Sequence, residues 1–296
     1  MKNILITGAN GLVGQKLVRT FSKHSVTATG YRSEPRFPDK NSRYIPLDIT
    51  DSSACKELIT RISPDVIINA AAYTNVDGCE TERETCWRVN VKGVENLAVA
   101  ARKCMAQLVH ISTDYIFDGD NGPYSEDAHP SPLGYYGKAK LASENTVRMA
   151  GIPYAIIRTN VVYGTGNGVK NNFFLWVYNQ LKEGKPVRIV TDQYNNPTLA
   201  DDLAEGIKLL VEQSAYGVYH LSGEDYINRF DFAKVVGEVF GFPTDQISPI
   251  LTSDLQQKSP RPLKGGLSIE LAKKELDYSP RTLREAFEFL KIELSH

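Results

Sequence analysis

The chain has little that points to metal or disulfide chemistry. Its 296 residues include 4 cysteines and 5 histidines. Cys55, Cys79, Cys86 and Cys104 are scattered without a CxxC pair, and the histidines form no cluster. Such thiols read as reduced structural residues, with no metal site expected. Neither sign of charge is in excess: 34 Lys and Arg face 35 Asp and Glu, a net charge of −1. No global field therefore draws the protein to nucleic acid or to an anionic membrane. Long apolar runs are missing too. Met1 leads into Asn3-Ile4-Leu5-Ile6-Thr7, too short for a signal-peptide core and without a cleavage site. Nothing approaches the ~20 apolar residues of a membrane span. These absences predict a cytoplasmic protein without nucleic-acid or membrane partners. Repeats, low-complexity tracts and flexible linkers are also lacking.

What is present is an alternation. Apolar runs at residues 2–7, 26–30, 65–69, 108–111 and 154–157 read as strands. Helical spacing follows the first run, at Leu12, Leu17, Val18 and Phe21. It recurs over 51–62, with Asp51 or a neighbouring serine as N-cap, over 81–103 as one long helix, and from the Tyr135-Tyr136 pair onward. Strands alternating with helices predict an α/β fold, a doubly wound parallel sheet of the Rossmann type. Beyond Gly164 the alternation loosens. Helices are expected over 173–181, 200–211, 230–240 and 283–290, with a strand at 217–221. We read residues 1–163 as the dinucleotide-binding domain, with part of 190–222 returning to it. Residues 164–296 are then mainly an interleaved, smaller substrate-binding region.

Such sheets bind ligands at the carboxyl ends of their strands. Residues 8–14, 69–74, 112–115 and 158–163 should therefore converge on one crevice. The first of these loops is Gly8-Ala9-Asn10-Gly11-Leu12-Val13-Gly14. Its glycines allow a tight turn and close approach of a pyrophosphate, and the helix behind directs free N–H groups at the phosphates. After the second strand stands Gly30-Tyr31-Arg32-Ser33, with no acid before Glu34. An arginine and a hydroxyl suit a 2′-phosphate better than a bare ribose, which favours NADP(H) with NAD(H) as second choice. Tyr31 or Arg32 could also stack on adenine. Asp48 and Ile49 either flank the adenine or, in the case of Asp48, cap a helix.

Further along stands Ser131-Pro132-Leu133-Gly134-Tyr135-Tyr136-Gly137-Lys138-Ala139-Lys140. Helical geometry permits Tyr135 with Lys138, at three residues, or Tyr136 with Lys140, at four. Spacing alone does not choose between them. Either pair could move a proton, because a neighbouring ammonium favours the phenolate and lowers the tyrosine pKa.

TGANGLVG at the start, STDYIFDG at 112–119 and YGKAK at 136–140 together resemble the extended short-chain dehydrogenase/reductases. The chain looks most like the dTDP-4-dehydrorhamnose reductases, through NAAAYTNVDGCE at 69–80, RTNVVYG at 158–164 and DQYNNPT at 192–198. The resemblance covers nearly the whole chain. It implies reduction of a keto group on a nucleotide sugar, with Tyr136 as proton donor and Lys140 lowering its pKa and holding the nicotinamide ribose. Thr113 would bind the carbonyl. It further implies cofactor contacts from Gly8, Asn10, Gly11, Leu12, Val13, Gly14, Asp48, Ile49, Ala70, Ala71, Ala72 and Thr74. Substrate contacts are implied for Val76, Asp114, Tyr115, Val161 and Arg261. Lys170 and Arg261 are candidates for the substrate diphosphate, and a homodimer is an assembly such proteins adopt. His110 reads as core, and Asn90 as support for the active-site backbone. Asp77 and Glu80 read as positions behind the crevice or as solvated helix residues.

Two departures fall on the substrate side. The reductases carry Arg-Thr-Ser-Trp where this chain has Arg158-Thr159-Asn160-Val161. They carry Arg-Pro-x-x-Ser-x-Leu where it has Arg261-Pro262-Leu263-Lys264-Gly265-Gly266-Leu267. Sugar-nucleotide dehydratases have Thr-Asp-Glu where Thr113-Asp114-Tyr115 stands here, which argues against dehydration. The epimerases differ there too, with a serine-rich segment lacking the aspartate. The regulatory β subunits of methionine adenosyltransferase, which bind NADP without this turnover, share the resemblance.

Overall fold

Ile4, Leu5 and Ile6 are all fully buried, as in a strand covered on both faces. They lie in β1 (Asn3–Thr7), an interior strand of a seven-stranded parallel sheet in a computed structural model that describes residues 1–37, 42–169 and 172–295. The first half continues with α1 (Leu12–Thr20), β2 (Ser25–Gly30), β3 (Arg43–Pro46), α2 (Ser52–Ile62) and β4 (Val66–Asn69). Then come α3 (Val76–Thr81), α4 (Arg83–Trp87), α5 (Gly93–Ala101), β5 (Gln107–Thr113), α6 (Tyr135–Arg148) and β6 (Tyr154–Thr159). The second half holds β7 (Val162–Tyr163), α7 (Phe173–Lys182), β8 (Val187–Val190), β9 (Tyr194–Asn195), β10 (Thr198–Leu199) and α8 (Ala200–Glu212). It ends with β11 (Gly217–His220), β12 (Ile227–Asn228), α9 (Arg229–Phe240), β13 (Ile247–Ile250), α10 (Glu270–Leu276) and α11 (Leu283–Leu294).

The sheet order is β11-β6-β5-β4-β1-β2-β3. The winding reverses between β1 and β4, where Thr7 pairs with Asn69, so a crevice opens above their carboxyl ends. Side chains alternate across the sheet. Ile4, Ile6, Ile68 and Ile157 pack on α1, α8 and α10, whereas Leu5, Ile67, Leu108 and Ile156 pack on α2, α5 and α6. β11 adds the last strand beside β6, with Tyr219 opposite Ile157. A third, aromatic-rich core joins α7, α9 and α11 around Phe174, Phe232 and Phe287. Among the described residues no helix is long and apolar enough to cross a membrane.

The single helix expected over 81–103 is in fact interrupted. The chain leaves helical geometry at Glu82, with φ −110° and ψ 48°. Between α4 and α5 a π-helical turn spans Arg88–Lys92. The widened turn carries Asn90 inward, where its side chain accepts from Tyr73 N at 2.8 Å and donates to Tyr73 O at 2.9 Å. Apolar periodicity read over a long window does not locate such a turn, because it offsets the pattern by only one residue. Asp51 caps α2 by accepting from Ala54 N. Asp48 instead turns back on Thr50, accepting from its N–H at 2.9 Å and its hydroxyl at 2.8 Å.

Candidate functional site

The glycine loop packs directly against the end of β4. Gly8 sits at φ +68°, and a Cβ there would come within 2.6 Å of the Ala70 carbonyl carbon. A Cβ on Gly14 would meet Gly8 O at 2.2 Å, so the loop and the first turn of α1 lie as close as backbone allows. Gly11 stands at the N-cap of α1 with no side-chain cap. The first N–H groups of that helix are thus left for a ligand, and they line a cavity. A pyrophosphate fits this cradle in charge, shape and donor set.

Two adjoining cavities share Gly11, Ala70, Ala71 and Ala72. The smaller, about 490 Å³, adds Tyr31, Asp48, Ile49 and Arg88. The other, about 580 Å³, runs from Asn10, Leu12, Val13 and Gly14 past Thr74 and Val76 to Thr113, Tyr136 and Lys140. It reaches Asp114, Tyr115, Asn160 and Val161. Together the two cavities leave room for a dinucleotide-sized ligand across the switch point. Arg32 and Ser33 stand exposed just outside the smaller cavity. Arg36 lines the larger one, held by Arg36 N on Asn10 Oδ1 at 2.7 Å and by its guanidinium on Gly168 O at 3.0 Å.

The start of α6 is pinned from two sides. A Cβ on Gly137 would meet Tyr115 O at 2.1 Å, so only glycine lets the helix settle on the end of β5. Tyr135 N donates to Glu80 Oε1 at 2.7 Å, and Ser259 Oγ donates to the same oxygen at 3.1 Å. Glu80 is thereby a capping group for α6, not a solvated helix residue. Asp77 likewise turns inward, accepting from Ser259 N at 3.1 Å and from Arg261 at 2.9 Å.

Tyr136 is buried, its ring edge-on to Tyr115 at 5.7 Å. Burial pushes its hydroxyl well above the ordinary tyrosine value, and the neighbouring Thr113 hydroxyl draws it partly back. Tyr135 packs elsewhere, against Trp87 and under Arg83. The expectation that the Lys140 ammonium depresses Tyr136 is not met in this geometry. Lys140 Nζ donates to Ile111 O at 2.7 Å and faces His110 Nε2 at 3.1 Å, and burial lowers Lys140 itself to about 8. Asp114 is pushed up to about 6 by burial, with the Thr113 hydroxyl, Arg229 and Asn160 opposing.

Arg261 does not line the crevice. Its guanidinium is drawn to Asp77 and lies 5.9 Å from the Tyr115 ring centroid. Arg229, at the head of α9, lines it instead, stacked 4.6 Å from the Phe173 ring centroid. No motif around Arg229 marks it in the sequence, because the fold alone brings the first residue of α9 to the crevice. Arg36 had a signal, lying in the same loop as Arg32. Lys170 lies outside the described residues. Val161 holds φ +39°, a conformation that costs a β-branched residue energy and clusters at binding sites.

Residues 1–293 match the RmlD substrate binding domain family. The chain belongs to this family. With it, the RmlD-family chain falls among the NAD(P)H-dependent oxidoreductases of the extended short-chain dehydrogenase/reductase class. It is 34% identical to the dTDP-4-dehydrorhamnose reductase of Mycobacterium tuberculosis, over 90% of this chain and 85% of that one. It is 33% identical to the probable low-salt glycan biosynthesis reductase Agl14 of Haloferax volcanii, over 95% and 94%. At 33% it also resembles methionine adenosyltransferase 2 subunit beta of Xenopus laevis, over 88% and 78%. Among solved structures, the dTDP-4-dehydrorhamnose reductase of Clostridium acetobutylicum superposes with TM-score 0.87 at 31% identity, over 99% of both chains. That of Bacillus anthracis, in complex with NADP, does so at 0.85 and 31%, over 99% of this chain and 100% of that one.

Proposed function

We propose that this RmlD-family protein reduces the 4-keto group of a nucleotide-activated deoxysugar at the expense of NADPH, dTDP-4-dehydro-L-rhamnose being the leading substrate. The observation that carries the reading is the meeting of Thr113, Tyr136 and Lys140 with the glycine loop in one cavity of about 580 Å³. Residues 1–163, with β11 returning to the sheet, would hold the dinucleotide, and residues from 164 onward most of the sugar nucleotide.

Gly8, Gly11, Leu12, Val13 and Gly14 would hold the pyrophosphate, with Asn10 shaping the loop. Tyr31, Arg32 and Ser33 would meet the adenosine 2′-phosphate, and Asp48 and Ile49 the adenine. Ala70, Ala71, Ala72 and Thr74 would form the wall behind the nicotinamide half. A reduced nicotinamide, when bound, supplies the hydride for the keto carbon. Thr113 holds the carbonyl oxygen by its hydroxyl and orients it. The Tyr136 O–H bond breaks, its proton passes to that oxygen, and a phenolate remains. Burial keeps this proton on Tyr136 at neutral pH, as an acid requires. The phenolate left behind is costly in so dry a place, and Lys140, four residues on along the same helix, is the cation available to offset it. Val76, Asp114, Tyr115 and Val161 would surround the sugar, with Arg229 of the missed residues reaching its phosphates.

Purified protein with NADPH and dTDP-4-dehydro-L-rhamnose should consume cofactor. No oxidation with this or any related keto-sugar nucleotide, despite measured NADPH binding, would sink the proposal. That outcome would favour a regulatory binding role, a second reading supported by the 33% identity to a methionine adenosyltransferase beta subunit. Turnover of a different keto sugar would instead fit Asn160 and Val161, which supply no flat aromatic wall.

A further inference from the structure

Below the crevice a chain of buried polar groups leads to Lys140. Thr7 Oγ1 donates to Asn69 Oδ1 at 2.6 Å, and Ala71 N donates to the same oxygen at 3.2 Å. A backbone N–H can only donate, so the amide of Asn69 is fixed with its oxygen there and its nitrogen toward His110 Nδ1, 3.0 Å away. Nδ1 must then accept, and a neutral His110 carries its proton on Nε2. Ser143 Oγ, 2.9 Å from Nε2, gives its own proton to Lys140 O at 2.6 Å and is free to accept. Lys140 Nζ also faces Nε2, at 3.1 Å. An ammonium there finds an N–H where it needs a lone pair. Ile111 O is the acceptor the protein does supply.

We propose that His110, its tautomer fixed by Asn69, withholds from Lys140 the second acceptor an ammonium needs, so that dinucleotide binding is coupled to proton uptake at Lys140. A hydroxyl-rich occupant of the crevice supplies the missing acceptor and completes the cation. His110 is in this sense a positioning residue. The inference rests on the reading of the crevice as a dinucleotide site, but not on the identity of the sugar.

The other groups around Lys140 agree. Glu144 on its own helix favours the cation, but that carboxylate is already held by Arg158 of β6 and by Arg148. Cys86 of α4 favours it weakly, Tyr136 keeps its proton, and Asp114 lies past Thr113 in the same crevice. Burial opposes the cation most strongly, holding the free lysine at about 8. Binding that raises this value takes up protons above it, and the affinity so gained is present below it and lost as pH rises through the bound value.

Calorimetry of NADP⁺ binding in buffers of different ionisation enthalpy reads this uptake directly. At about pH 9 the wild type should take up about one proton per site. His110→Gln offers Lys140 an acceptor and should cut that uptake at least by half. Histidine ¹⁵N spectra of the free wild-type protein should show His110 protonated on Nε2 alone, neutral from neutral to mildly acid pH. These spectra stand even where the variant does not fold. Proton uptake unchanged in a folded His110→Gln protein would overturn the proposal, as would a proton on Nδ1 or an ordinary histidine titration. Neither readout needs a sugar substrate, so the reductase reading can fail while this one holds. NADP⁺ binding with no proton uptake would sink this one alone.

Discussion

The Arg158 guanidinium grips the Glu144 carboxylate at both oxygens, Nε to Oε1 at 3.1 Å and Nη2 to Oε2 at 3.0 Å, with both side chains buried. Ser112 Oγ donates to the same Oε1 at 2.6 Å. The pair therefore joins β6, α6 and the last residues of β5, one residue before Thr113. Arg158→Met leaves the carboxylate with Arg148 and Ser112 only. It should destabilise the protein by up to about 3 kcal/mol, because the buried carboxylate loses its bidentate partner and keeps only a partly exposed one. Denaturant unfolding would show this as a lower midpoint at unchanged slope. A loss within error would mean that water reaches Glu144.

The choice between the two tyrosines is testable in one comparison. Tyr136→Phe should lower turnover by about 10²–10⁴-fold while NADPH binding is kept. Tyr135→Phe should leave turnover within a few-fold, since that ring packs on Trp87 away from the crevice. Activity lost only in the Tyr135 variant would reverse the assignment.

Glu80 links α3 to the head of α6 and makes a pH prediction. The Tyr135 N–H, above all, holds its carboxyl below the ordinary value of 4.5. Its stabilising effect is therefore present above 4.5 and lost as pH falls through the depressed value. Glu80→Gln should be less stable at neutral pH, and its stability should fall less steeply on acidification. Thermal melts across that range would show the two curves converging; parallel curves would remove the argument.

Val161 is held at φ +39° in the crevice wall. Val161→Asn, which tolerates this conformation better, should stabilise the fold by about 1 kcal/mol. A lowered melting temperature would show that packing by the valine methyls outweighs the backbone strain.

Cofactor choice can be tested at the edge of the smaller cavity. Arg32→Ala should weaken NADPH by about tenfold and NADH hardly at all, if the guanidinium meets a 2′-phosphate. Equal losses for both cofactors, or a selective loss in Arg36→Ala only, would move that role to Arg36.

Local pattern was enough for much of this protein. Apolar runs such as Ile4-Leu5-Ile6 and Val66-Ile67-Ile68 can be satisfied only by strands buried on both faces, and the helices between them dictate a parallel sheet. The crevice and the cofactor side of the site follow, because a doubly wound sheet has its switch point at the carboxyl ends of its strands. What tertiary structure decided are the contacts that spacing cannot encode. Arg229 enters the crevice, and Arg261 is diverted to Asp77, through elements far apart in sequence. Glu80 becomes a cap for a helix 55 positions on. The surroundings of Lys140 are likewise set by the tertiary fold. Four residues along a helix bring Tyr136 and Lys140 to one face, but only the fold sets the amine against Ile111 O and the His110 ring and buries it, which lowers its pKa.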